Sequence, residues 1–292
     1  MGVDEKQIPS LIQLLDDPDN KVDEHVAEEL KSLGTEVIPT LENAWESSPD
    51  TTLQERLEEL IHSIQFEDVQ KGLRQWSAEE SDDLLKGACQ VARYHYPELH
   101  ADGIRKKLDV IKKEIWLELS YYLTPLEQVN VFNHVFYSLN GMGANTSDLQ
   151  DPQNFFINHV LDVKKGNAIS LGVIYLILAR SLDMPVYGVN LPHHFVLAYC
   201  KNFIENMEDE EEVKRSVIFY INPLNKGAIF SRNEIKQLLN KLELEHEDDY
   251  FLPCGNRTVI ARLLEDLQQS YQTLENRERE EEIRKLAEEV KD

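Results

Sequence analysis

The chain has 292 residues, and its 30 Lys and Arg stand against 54 Asp and Glu for a net charge of −24. That excess speaks against nucleic acid as a partner, because strands are gripped by neutralising phosphates with Lys and Arg, and it equally disfavours docking on an anionic membrane. The length suits about two domains.

The N-terminus, Met1-Gly2-Val3-Asp4-Glu5-Lys6, is polar, with nothing to act as a signal segment, so the expected address is cytoplasmic. Ile8-Pro9-Ser10-Leu11 returns as Ile38-Pro39-Thr40-Leu41, a spacing of thirty residues that suggests stacked helical hairpins. Between the echoes, Leu11, Ile12, Leu14 and Leu15 form one helical face, Asp16-Asp17-Pro18-Asp19 a turn, and Val22, Val26, Ala27, Leu30 and Leu33 a second face that stops at Gly34. This resembles a HEAT-like repeat over residues 8 to about 66, and a HEAT-like segment is expected over 1–75. Such units bury their apolar faces only against neighbours, so a short array either packs on the next domain or faces a partner protein.

Helical spacing continues through Leu84, Leu85, Ala88, Val91 and Ala92, breaks at Tyr96-Pro97-Glu98 and resumes with Ile104, Leu108 and Ile111. Cys89 then reads as a small buried hydrophobe, and His95 and His100 as packing or surface residues. From Leu117 to Ile229 the texture changes. A glycine-bearing loop, Asn140 to Asn145, precedes the apolar stretch Gly166 to Ala179, which stops at Arg180, is too short for a bilayer and reads as core. Three β-like runs follow: Val186–Val189, Phe195–Tyr199 and Val217–Ile221. Helices followed by consecutive strands point to an α+β core, expected over 76–250. Glu205 to Glu212 reads as a solvated hairpin loop, without the alternating ligands or central Gly of a calcium site. The tail, 251–292, reads as a helical hairpin with Ile260, Leu263, Leu264, Leu267 and Tyr271, then Ile283, Leu286 and Val290; it resembles a lone tetratricopeptide-like unit.

Cys89, Cys200 and Cys254 are odd in number and without a Cys-x-x-Cys pair, so reduced thiols are expected, with no disulfide framework and no zinc knuckle. His193 and His194, adjacent on a strand, would face opposite ways and cannot readily share an ion. No phosphate loop or dinucleotide fingerprint occurs; Gly141-x-Gly143 is too short a match. No metal and no cofactor is expected.

The candidate chemistry lies in Ser170, His194 and Asn222. Ser170 falls in the first turn of an apolar helix, where backbone N–H groups and the helix dipole favour negative charge. His194 begins one strand and Asn222 ends another, so the three could serve as nucleophile, base and orienting group. Each also has an ordinary structural explanation: Ser170 as a helix-start residue with Asn167 a competing cap, His194 as a strand-side packing group, and Asn222 before Pro223 as turn chemistry.

Several ordered stretches carry a resemblance. Asp151-Pro-Gln-Asn-Phe-Phe-Ile-Asn-His-Val160, Gly166-Asn-Ala-Ile-Ser-Leu-Gly-Val-Ile-Tyr-Leu176, Leu182-Asp-Met-Pro-Val186, Gly188-Val-Asn-Leu-Pro-His-His-Phe195 and Ile221-Asn-Pro-Leu-Asn225 together resemble the SirB-type branch of the transglutaminase-like superfamily, over residues from about 77 to 250. The resemblance implies a papain-like α+β fold in which a helix bearing the nucleophile packs on an antiparallel sheet bearing the His and acid. It places Ser170 at the usual Cys, His194 at the His and Asn222 at the usual Asp. The related Leu-Pro-Gly-His pattern reads Leu191-Pro192-His193-His194 here, so His193 would narrow the cleft or twist the strand entry.

A serine needs stronger base help than a thiol, and an Asp-to-Asn change in a serine-protease triad lowers turnover by about 10⁴, so Ser with Asn is the weakest pairing. The first expectation is therefore a non-catalytic binding or regulatory module for a protein or peptide, with Asn167, Asn190, Pro192 and His193 as candidate binding residues. The second is a weak hydrolase or acyltransferase on amide or peptide-like bonds using Ser170, His194 and Asn222. A third is assembly through the N-terminal repeats alone. The oligomeric state does not follow from the sequence.

Overall fold

A computed structural model describes residues 8–15, 20–120, 122–192, 194–241 and 248–291. The expected turn at 16–19 and the polar N-terminus lie outside the described residues. The chain divides into two compact units, Met1–Gly72 and Leu73–Asp292.

In the first unit, α1 (Ile8–Leu14), α2 (Asn20–Ser32), α3 (Ile38–Ser47) and the first part of α4 (Thr51–Glu79) bury one apolar cluster. Its members include Ile8, Ile12, Leu15, Val26, Leu30, Leu41, Leu57 and Ile64. They recur at three- and four-residue spacings, the pattern that gives a helix a single apolar stripe. Gly34, at φ +68°, supplies the left-handed residue just past α2 that other residues adopt only at a cost.

The second unit is a mixed α+β body. Helices α5 (Leu84–Arg93), α6 (Ala101–Glu118), α7 (Pro125–Asn133) and α8 (Ile157–Val163) precede α9 (Ala168–Ser181), which is buried around nearly its whole circumference. A helix apolar on every side has to be central. One face lies on an antiparallel sheet of order β3-β4-β5-β6, formed by β3 (Val186–Leu191), β4 (His194–Cys200), β5 (Val217–Asn222) and β6 (Ala228–Phe230). Alternation along β4 divides its side chains between two layers. Phe195 and Leu197 meet Gly172 of α9, while Val196 and Ala198 join Val189, Leu191, Tyr220, Ile235 and Phe251 on the far side. A Cβ at Gly172 would stand 2.6 Å from the Phe195 ring, so the helix can approach this sheet only where position 172 has no side chain.

Two short pieces, β1 (Gly143–Ala144) and β2 (Lys165–Gly166), pair in parallel and tie the glycine-bearing loop to the chain entering α9. Between β4 and β5 the expected solvated loop is corrected in part, because α10 (Glu210–Ser216) forms inside it. The reasons are local. Asp209 accepts a hydrogen bond from Glu212 N at 3.0 Å, Glu210 to Glu212 oppose the positive end of the helix, and Val213 is buried. Strand β6 carried too little β-patterning for the sequence to signal it. Helix α11 (Arg232–Lys241) follows, and then α12 (Asn256–Thr273) and α13 (Arg277–Glu288), an antiparallel hairpin within the second unit. Helix α12 packs against α5, α9 and β3.

Candidate functional site

Ser170 sits in the first turn of α9 and is buried, 3% exposed. Asn167 and Ser170 form a reciprocal capping box. Ser170 N donates to Asn167 Oδ1 at 3.0 Å, and Asn167 N donates to Ser170 Oγ at 3.1 Å. The hydroxyl itself donates to the Asn167 carbonyl at 3.4 Å. Among the described residues, the hydrogen bonds of the Ser170 hydroxyl and N–H therefore all go to Asn167, so that N–H, the natural donor to an oxyanion, is already taken. Gly166 lies over the hydroxyl, since a Cβ there would be 2.5 Å from Ser170 Oγ. Replacing Asn167 by Ala is expected to cost about 1 kcal/mol of stability, read from the shift of a urea unfolding midpoint, because it removes the side-chain acceptor for Ser170 N while the backbone N–H of residue 167 can still donate to Ser170 Oγ.

Asn222 ends β5 and starts the turn into β6. Its Oδ1 accepts from Leu224 N at 3.0 Å and from Asn225 N at 3.1 Å, which uses both acceptor sites of the amide oxygen. Its carbonyl accepts from Gly227 N at 2.9 Å. This turn is held from below. Asn133, at the end of α7, donates from Nδ2 to the Gly227 carbonyl at 2.8 Å and accepts from the Tyr175 hydroxyl at 3.2 Å. Beyond it the chain widens into a π-helical turn, His134–Leu139, from which Tyr137 donates to the Pro223 carbonyl at 2.9 Å.

His194 is half-buried at the start of β4 and lines two adjoining cavities. One, of about 570 Å³, is bounded by Asn167, Ala168, Phe155 and Leu224 together with Arg262, Glu265, Asp266 and Gln269 of α12. The other, of about 460 Å³, is bounded by Ala168, Asn222, Asn225, Phe230 and Glu234. Ala168, His194, Phe195 and Leu224 are common to both. Beside the second, Ser231 donates from N and Oγ to Glu234 at 2.7 and 2.8 Å, which holds that carboxyl below its ordinary range. His194, Asn222 and Asn167 thus meet at one cleft, whereas Ser170 Oγ is turned into the cap.

Of the expected binding residues, Asn190 is engaged structurally: its Oδ1 accepts from Arg262 Nη1 at 2.5 Å. Pro192 lines neither cavity, and His193 lies outside the described residues. Cys89 and Cys200 are buried, and burial pushes their thiols up to about 12 and about 11. Cys254, pushed up to about 12 by burial, lines a different cavity, so no thiolate is offered at the cleft. Among the described residues, no group of three or more His, Cys, Asp or Glu is placed to hold a metal ion.

Sequence reasoning missed the α12 contribution. Arg262, Glu265, Asp266 and Gln269 recur at helical spacing on the face adjoining the buried stripe, a signal that shows a second face but not what it meets. Arg262 donates to Asp266 Oδ1 at 2.6 Å and to the Leu191 carbonyl at 3.0 Å, fixing the cleft wall.

The chain is 29% identical over 203 residues to a UPF0162 protein of Xylella fastidiosa, covering 66% of each chain. It is 28% identical over 188 residues to UPF0162 protein YchA of Escherichia coli, covering 63% of each. It is 33% identical over 113 residues to F-box only protein 21 of Homo sapiens, covering 39% of this chain and 17% of that protein. The chain thus spans just under two thirds of the length of the bacterial relatives. No solved structure matches. Among the described residues, no helix is long and apolar enough to cross a membrane. The transglutaminase-like superfamily matches residues 102–265, which hold α9, the whole sheet and all of the cleft lining except Asp266 and Gln269, and the chain belongs to that superfamily.

Proposed function

We propose that this chain is a non-catalytic binding module on a transglutaminase-like scaffold, which takes an extended protein or peptide segment in the cleft around His194. The observation that carries the reading is the Asn167–Ser170 box. A hydroxyl that accepts one backbone hydrogen bond, donates another and lies beneath Gly166 is committed to the helix terminus rather than to attack. The spent Oδ1 of Asn222 adds to it, because an orienting amide needs that oxygen for the histidine N–H. Two adjoining cavities with Phe155, Phe195 and Leu224 among their walls and amide and charged groups at the margins suit an extended segment better than a compact metabolite.

In the finer assignment the core is of the SirB type, the N-terminal unit is a HEAT-like repeat segment, the C-terminal hairpin caps the fold, and the protein acts in the cytoplasm. The test is covalent labelling with a fluorophosphonate probe, read by intact-mass and peptide mass spectrometry. No adduct at Ser170 is expected. An adduct at Ser170 that disappears in His194→Ala would establish the other reading, a weak hydrolase or acyltransferase, which draws on His194 and Asn222 sharing a cavity.

A further inference from the structure

A second cavity, of about 500 Å³, lies at the other end of α9. Leu176, Ile177, Arg180 and Ser181 reach it from the last turns of that helix, Leu84 and Leu85 from α5, Val186 and Tyr187 from β3, and Arg105 from α6. Ten residues of helix separate Ser170 from Arg180, or roughly 15 Å at the α-helical rise, so this cavity is not a branch of the cleft at His194. It shares no lining residue with that cleft.

Its chemistry is divided. Leucines, an isoleucine, a valine and the Tyr187 ring supply apolar wall, and the volume lies within the range of small-molecule sites. Four charges also border it: Asp82, Asp83, Arg105 and Arg180. Asp83 is engaged, because its carboxylate accepts from Lys86 N at 3.0 Å as the cap of α5 and lies 3.9 Å from Arg105. Arg180 differs. It is exposed at the margin, and among the described residues it makes no ion pair, in a chain whose acidic excess offers carboxylates in abundance. It lies close enough to Tyr187 that its charge opposes the upward push of burial on that phenol, while the phenol oxygen already accepts from Ile204 N at 2.7 Å. Compensation of the C-terminal dipole of α9 accounts for a cation at 180 but not for the apolar cavity beside it.

We propose that this cavity is a binding site for a small amphipathic monocarboxylate, with the apolar body between α5, α9 and β3 and the carboxylate on the Arg180 guanidinium. Arginine suits the task because its planar fork matches a carboxylate in a bidentate pair. Arg105, only loosely paired with Asp83, adds a second positive group.

The test is calorimetric titration of the full-length protein with octanoate, octanol and acetate. Octanoate is expected to bind at least about tenfold more tightly than octanol, as a charge-assisted pair requires, and acetate not measurably, since it lacks the apolar body. In Arg180→Gln, a substitution at an exposed position, octanoate affinity falls to that of octanol, while the free protein stays folded and its thermal midpoint drops by no more than the few degrees that losing a helix-terminal cation costs. Equal binding of octanoate and octanol, no octanoate binding, or undiminished octanoate affinity in Arg180→Gln would each overturn the proposal. Labelling at Ser170 bears only on the other cleft, so the two readings stand or fall separately.

Discussion

Trp76→Ala is expected to lower the unfolding free energy by about 3–5 kcal/mol, the range for deleting a fully enclosed large aromatic side chain. Trp76, on the last turns of α4, is 0% exposed, and a Cβ added at Gly87 would stand 2.7 Å from its ring. The indole therefore fills the space that the glycine of α5 leaves, and nothing nearby can collapse into its volume without moving a helix. Its Nε1 also donates to the Asp83 carbonyl at 2.8 Å, just before α5. Trp76→Phe separates the two contributions, since it keeps most of the packing and loses the donor. Urea unfolding checks both: the midpoint should fall far in Trp76→Ala and less in Trp76→Phe, with the slope retained. A change of under 1 kcal/mol in Trp76→Ala would mean that Trp76 is not the keystone of the α4–α5 junction.

Arg262→Ala should be the most damaging change at a polar position in the wall of the cleft, at about 3 kcal/mol. The Arg262 side chain is only 12% exposed, with Asp266 at 27%. Removing it leaves a partly buried carboxylate, the Asn190 amide oxygen and the Leu191 carbonyl to find other donors. Asp266→Asn should cost less, about 1 kcal/mol, because Arg262 keeps its two oxygen partners at the end of β3. The order of the two, measured by denaturant unfolding, is the discriminating result. If Asp266→Asn were as costly as Arg262→Ala, the ion pair rather than the bonds to β3 would be holding α12 in place.

Much of the second unit was legible in the sequence, for physical reasons that can be named. The run from Ala168 to Ala179 is apolar around its whole circumference, which only a central helix tolerates, and the β-branched and aromatic runs after it became β3, β4 and β5. The candidate trio was legible as a constellation but not as a geometry. Asn167 and Ser170, three residues apart at a helix start, carry the signature of a cap as well as that of a nucleophile, and only the positions of Oγ and Oδ1 tell them apart. What could not be read was tertiary. The turn that positions Asn222 is clamped by Asn133, ninety-four residues from Gly227, and the cleft wall is built by α12 from far down the chain. Local periodicity carries no information about such pairings. The short helix α10 escaped notice because a run of acidic residues reads as solvated, although the same residues favour a helix start once Asp209 precedes them.

The proximity of Gly166 to Ser170 has a consequence for how this protein can vary. A methyl group at 166 would enter the space of the Ser170 hydroxyl and also stand 3.0 Å from Val160, so the two positions compete for one small volume. Substitutions at 166 and 170 are therefore energetically coupled: the penalty for enlarging one depends on what occupies the other, and single-site scans will misjudge the pair. A side chain at 166 can be gained only in step with the loss of the hydroxyl at 170, which makes the two sites a single unit of change in that direction.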